Sequence, residues 1–93
     1  MSMRYEFSAT AWEEFQDWMD TDPTVADKIR ELLKDISRNP FQGLGKPEAL
    51  RFDLKGYWSR RISHEHRLVY KVEGKRSETQ KCTIVQCKFH YDD

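Results

Sequence analysis

"GYWSRRISHEHRLVY", residues 56–70, reads as two strands joined by a tight turn at "SHEH". Side chains alternate across a strand, so Trp58 and Ile62 share one face, and beyond the turn Leu68, Tyr70 and Val72 share one too. That is the expected core face. Ser59, Arg61 and Arg67 then point the other way. Arg60 has core-face parity, so it must either snorkel to an edge or pair with an acid. The hairpin therefore sets at least two arginines on adjacent strands, away from the core.

Working outward, "MRYEF" (3–7) alternates as a short strand with Met3, Tyr5 and Phe7 on one face. "SATAWEEFQDWMD" (8–20) follows as a helix. Thr10 with Glu13 fits a capping box, and Trp12, Phe15 and Met19 recur at helical spacing. "TDPTVADKIRELLKDISRNP" (21–40) is the clearest helix: Asp22 can cap it and Pro23 suits its first position. Val25, Ile29, Leu32 and Ile36 form one apolar stripe, and Asn39-Pro40 ends it. The short link between the helices predicts an antiparallel pair.

"FQGLGKPEAL" (41–50), with two glycines and a proline, is a loop. "LRFDLKGYW", "SRRIS", "RLVYKVE" and "CTIVQCKFHY" are expected strands, with "GKRSETQK" as a longer hairpin connection. The order predicts an α+β fold, two N-terminal helices packed on one face of a small, mainly antiparallel sheet. Ninety-three residues suit a single domain, 1–93.

No run approaches the roughly 20 apolar residues of a membrane span. "MSMRYEF" carries no apolar leader, so a cytoplasmic protein is expected. Net charge is zero, but its distribution is uneven. Residues 1–37 hold four Lys/Arg against nine Asp/Glu, and residues 38–93 hold twelve against seven. An acidic helical half carrying a basic sheet half fits an anionic partner on one face. Cys82 and Cys87, at odd spacing on one strand, are expected on opposite faces as free thiols.

Four sets of residues can carry chemistry. Arg61 and Arg67 offer planar forks suited to phosphate. "GKPEAL" sets Lys46 and Glu48 on a loop leading into the sheet, where a carboxylate beside arginines could take a proton from a 2′-OH. The terminal "FHY" brings His90, which can protonate a leaving 5′-oxygen, and Tyr91, which can stack on a base. His64 and His66, and Cys82, Cys87 and His90, match no common zinc spacing.

"NPFQGLGKPEAL", "GYWSRRISHEHRLVY" and the terminal "FHY", taken in order, resemble the YoeB-type toxins of bacterial toxin–antitoxin pairs, in the RelE/ParE superfamily. The likeness covers essentially the whole chain. It implies a RelE-like fold and a ribosome-dependent mRNA endonuclease that cuts the A-site codon in the bacterial cytoplasm. In such a reaction the 2′-OH attacks the adjacent phosphate, without metal or cofactor. The general base falls on Glu48, the phosphate-stabilising arginine on Arg67, the general acid on His90 and the adjacent aromatic on Tyr91. Lys46 and Arg61 fall on positions that hold phosphates or ribosomal RNA.

The implied partners are a YefM-like antitoxin, the ribosome and mRNA, with room for a homodimer and no membrane. Two departures stand out. The polar hairpin between Val72 and Cys82 is longer than usual, and Asp92-Asp93 follow the tyrosine. The added carboxylates favour imidazolium at His90 and also repel phosphate. A ParE-like gyrase inhibitor, or an inactive antitoxin-binding regulator, is the alternative on this fold.

Overall fold

The computed structural model describes residues 2–89. The chain runs β1 (Met3–Phe7), α1 (Ala9–Thr21), α2 (Pro23–Arg38), β2 (Glu48–Ala49), β3 (Trp58–Arg61), β4 (Arg67–Glu73) and β5 (Gln80–Gln86). Among the described residues the five strands form one sheet in the order β1-β5-β4-β3-β2. Only the β1–β5 pair is parallel. The fold is α+β, with both helices on one face, as expected. Ile29, Leu32 and Ile36 of α2, Phe15 and Trp18 of α1, and Leu68, Tyr70 and Ile84 of the sheet share the core.

Four local readings need correction. First, α1 is capped by Ser8, not Thr10: the Ser8 hydroxyl accepts from Ala11 N at 3.1 Å. Ser8 N also donates to the Ile84 carbonyl (2.9 Å), so the sheet fixes where the helix starts. Second, the buried line of α1 is Ala11, Phe15 and Trp18. Trp12 (46% exposed) and Met19 (42%) lie to one side, with Trp12 edge-on to Phe7.

Third, residues 50–57 are not a strand. Phe52 adopts φ +56°, and Phe52–Leu54 form a 3₁₀ turn, which breaks the extended run. Only Glu48–Ala49 pair with β3. Fourth, Cys82 and Cys87 both face the core. Tyr70 pairs with Ile84 but Val69 pairs with Gln86, so Val85 is an extra residue that reverses the parity beyond it. Both thiols are free and buried. Burial pushes each up to about 12. Native protein should therefore resist thiol alkylation at pH 8, with both cysteines labelling fast only after denaturant; rapid native labelling would contradict their placement.

Arg60 resolves as an acid-paired core residue. It is 0% exposed. Nε donates to the Tyr70 hydroxyl (3.0 Å), Nη1 to Asp35 Oδ2 (2.6 Å) and the Leu44 carbonyl (3.0 Å), and Nη2 to the carbonyls of Asn39 (2.6 Å) and Gln42 (2.8 Å). All five N–H donors of a guanidinium are thus used. The Tyr70 hydroxyl itself donates to the Pro40 carbonyl (2.6 Å), and Asp35 also accepts from Leu44 N (3.0 Å). The loop after α2 is wound around this one side chain. Gly43 permits it, because a Cβ there would collide with the Asp35 carboxylate.

The hydrogen bond from Arg60 holds the Asp35 carboxyl below its ordinary range, against a smaller opposing effect of burial. A depressed folded-state pKa contributes stability above the unfolded value and loses it as pH falls. Arg60→Leu should cost about 3–5 kcal/mol in denaturant melts, since it strands a mostly buried carboxylate. Arg60→Lys should not recover that loss, because an ammonium cannot serve the same five acceptors. Below about pH 4, where carboxylates ordinarily protonate, the wild type should lose stability more steeply than Asp35→Asn. Equal slopes would remove the ion pair from the account of acid stability.

Candidate active site

The second face of the sheet is turned away from both helices. Alternation along β3 and β4 puts Ser59, Arg61, Arg67 and Val69 there, and β2 adds Glu48 through its pairing with Ser59. Ser59 and Val69 are buried, yet lie outside the main core cluster, so they floor this face. Charged groups rim it. Arg61 pairs directly with Arg67 across the hairpin. Glu48 is level with Val69, so Arg67 lies two inter-strand steps across and two residues along from it, roughly 12 Å between backbones, a gap that Glu and Arg side chains can span toward one phosphate. Lys71 sets its ammonium 5.2 Å over the Tyr57 ring further along.

Glu48 is exposed on β2, and Lys46 is exposed two residues earlier with φ +50°. Both are placed by the loop that Arg60 gathers. The Gly45 carbonyl next to Lys46 accepts from Arg61 N at 2.7 Å, which seats this loop against β3. A Cβ at Gly45 would crowd the Arg61 carbonyl at 3.0 Å, so the approach needs glycine.

Arg67 opens β4 and is half-buried. Its Nη1 donates to the carbonyls of Ser63 (2.9 Å), His64 (3.2 Å) and His66 (3.1 Å). The turn "SHEH" is therefore more than a connection: its carbonyls hold one end of the guanidinium. Among the described residues Nε and Nη2 make no hydrogen bond, so Nη1 is the anchored end of the fork. Arg67 N donates to the Phe89 carbonyl at 3.1 Å, which brings the end of the described chain alongside it.

The structure thus brings Glu48, Arg61 and Arg67 onto one face, with Lys46 at its edge. His90 and Tyr91 lie outside the described residues. His66 is a residue whose part the sequence did not disclose: its Nδ1 accepts from Phe89 N at 2.7 Å. A histidine beside an arginine in a turn was the only signal, and it named no partner. Among the described residues no group of three or more His, Cys, Asp or Glu side chains is placed to hold a metal ion. No helix among them is long and apolar enough to cross a membrane.

Two helices on one face of a β1-β5-β4-β3-β2 sheet, with a basic open face, define the RelE-like toxin fold. The profile described as "YoeB-like toxin of bacterial type II toxin-antitoxin system" matches residues 7–91. Toxin YoeB of Streptomyces coelicolor is 46% identical over 89 residues, covering 96% of this chain and all of the relative. The solved YoeB/ParE toxin from Agrobacterium tumefaciens superposes with a TM-score of 0.90 at 44% identity, covering 96% of this chain and all of that one.

YoeB of Staphylococcus aureus, 43% identical, has been solved as a dimer (TM-score 0.87) and as a heterotetrameric YoeB–YefM complex (0.85). Each covers 98% of this chain and all of its own. The chain belongs to the YoeB-like toxins of bacterial type II toxin–antitoxin systems.

Proposed function

We propose that this toxin is a ribosome-dependent mRNA endonuclease acting in the bacterial cytoplasm, and that the open face of its sheet is the cutting site. The observation that carries the reading is the convergence of Glu48, Arg61 and Arg67 from three adjacent strands, with the chain leading to His90 tied at Arg67. Glu48 takes the proton of a 2′-OH as that oxygen attacks the adjacent phosphorus. Negative charge builds on the non-bridging oxygens and meets the anchored Arg67 fork. The P–O5′ bond breaks, and His90 protonates the departing oxygen. The products are a 2′,3′-cyclic phosphate and a 5′-OH, so protons and electrons balance without a cofactor.

Tyr91 stacks on a base beside the cut, and Lys46 and Arg61 hold flanking phosphates or ribosomal RNA. The ribosome presents the codon to this face, so the orientation the reaction needs comes from the ribosome as well as from the toxin. The YoeB–YefM complex of the S. aureus relative supports a YefM-like antitoxin as the neutralising partner here, and its YoeB dimer supports self-association.

Under single-turnover conditions on programmed ribosomes, Glu48→Gln and His90→Ala should each slow cleavage on the order of a hundredfold or more while melting like wild type. Arg67→Lys keeps the charge but loses the fork, and should fall between wild type and Arg67→Ala. Arg61→Ala should lose more in ribosome affinity than in the chemical step. Free RNA should be cut poorly. Normal cleavage by Arg67→Ala at saturation would reduce the hairpin to a docking surface.

A further inference from the structure

Phe89 is tied at both backbone polar atoms. Its N–H donates to His66 Nδ1 (2.7 Å), and its carbonyl accepts from Arg67 N (3.1 Å) and Gln86 Nε2 (3.1 Å). Its φ of +63° lies in the left-handed region, which a bulky residue adopts only when its surroundings impose it. The segment just before is held from α1. Trp18 Nε1 donates to the Cys87 carbonyl (2.8 Å), Glu14 accepts from Cys87 N (2.8 Å), and Lys88 pairs with Asp17 (2.7 Å).

The His66 ring is the point where these parts meet. It stands edge-on to Trp18, with centroids 4.8 Å apart, and lies 5.4 Å from the Phe89 ring. The carbonyl of the same residue accepts from Arg67 Nη1 (3.1 Å) and Ile62 N (3.0 Å). One residue therefore anchors the arginine fork with its backbone and the terminal segment with its side chain. The bond to Phe89 requires Nδ1 to be unprotonated, so the ring carries its proton on Nε2.

We propose that His66 is a positioning residue for RNA cleavage: its Nδ1 fixes the Phe89 amide beside Arg67 and so fixes the point from which the chain continues to His90. The inference rests on the reading of His90 as general acid. An acid must reach the leaving oxygen within hydrogen-bond distance, and a displacement near 1 Å can cost on the order of a hundredfold. His66 does not touch the reacting atoms. It acts one residue away, through a backbone bond.

Two variants separate the acceptor from the ring. His66→Phe keeps the contacts with Trp18 and Phe89 but has no acceptor. His66→Asn loses the ring, yet its Oδ1 is bonded to Cγ as Nδ1 is, and can accept from the Phe89 amide. Single-turnover cleavage on programmed ribosomes, ribosome affinity, melting temperature and hydrogen exchange at Phe89 are measured for both, beside His90→Ala. His66→Phe should cleave about ten- to a hundredfold slower. Its ribosome affinity should stay within about threefold, because many basic groups share that contact. Its Phe89 amide should exchange faster. His66→Asn should restore most of the rate and the protection.

Wild-type cleavage by His66→Phe together with slow cleavage by His90→Ala would overturn the positioning role and leave the acid assignment standing. Wild-type cleavage by His90→Ala would remove the acid, and this role with it. If both His66 variants lose rate in step with melting temperature and Asn rescues nothing, His66 only holds the fold and the inference fails.

Discussion

A guanidinium buried in a protein this small is tolerable only if every donor is satisfied, and Arg60 meets that condition through partners from three other parts of the chain. Asp35 comes from α2, Tyr70 from β4, and Asn39, Gln42 and Leu44 from the connecting loop, while Arg60 itself stands on β3. Removing any one partner leaves a buried polar group without compensation. The loop therefore has essentially one arrangement. This matters beyond stability, because the same loop ends in Gly45, Lys46 and Glu48, and the Arg61 N–H seats it by the Gly45 carbonyl. The core face of β3 thus determines where the candidate base lies on the opposite face.

The two faces of the sheet divide the work. One is closed by helices rich in acidic residues, and the other carries Arg61 and Arg67 over a floor of Ser59 and Val69. Groups meant to meet charge as it develops stabilise it most when they need not move first. Arg67 fits that requirement, with Nη1 bonded to three turn carbonyls. The terminal segment is held with similar redundancy by Glu14, Asp17 and Trp18 of α1 and by His66 of the turn. Helix α1 reaches the turn that holds Arg67 through that segment and through Trp18, which stands edge-on to His66.

Much of this was legible before the structure. Alternation in 58–62 and 68–72 identified the core face and marked Arg60 as the exception that had to snorkel or pair with an acid; the structure shows the pairing. Pro23 and the stop at Asn39-Pro40 bounded α2 correctly and its stripe lies in or against the core, though Asp22 stands at the N-cap without a side-chain cap hydrogen bond. What escaped depends on pairing partners far along the chain. The Val85 bulge exists only relative to Val69 and Tyr70, so parity alone sent Cys87 to the wrong face. Ser8 displaced Thr10 as the cap because Ile84 ends β1 there. Residues 50–57 have strand-like composition but fold back as the connection from β2 to β3, closed by Leu50 N on the Tyr57 carbonyl and by the turn at Phe52–Leu54. The candidate site was legible less through any single motif than through the resemblance of several in order, since a lone exposed Glu or Arg says little. His66 escaped because its partner, Phe89, is 23 residues away.

The most direct test of the open face as a nuclease site is to map the cut and the chemistry of its ends. Purified toxin is added to ribosomes stalled with a defined codon in the A site, and the message is read by primer extension and by end-group analysis. The proposed function predicts one cut within the A-site codon, a 2′,3′-cyclic phosphate upstream, a 5′-OH downstream, and no change when divalent chelation is balanced to keep the ribosomes intact. A 5′-phosphate product, or cuts of equal efficiency on the same RNA free of ribosomes, would contradict it.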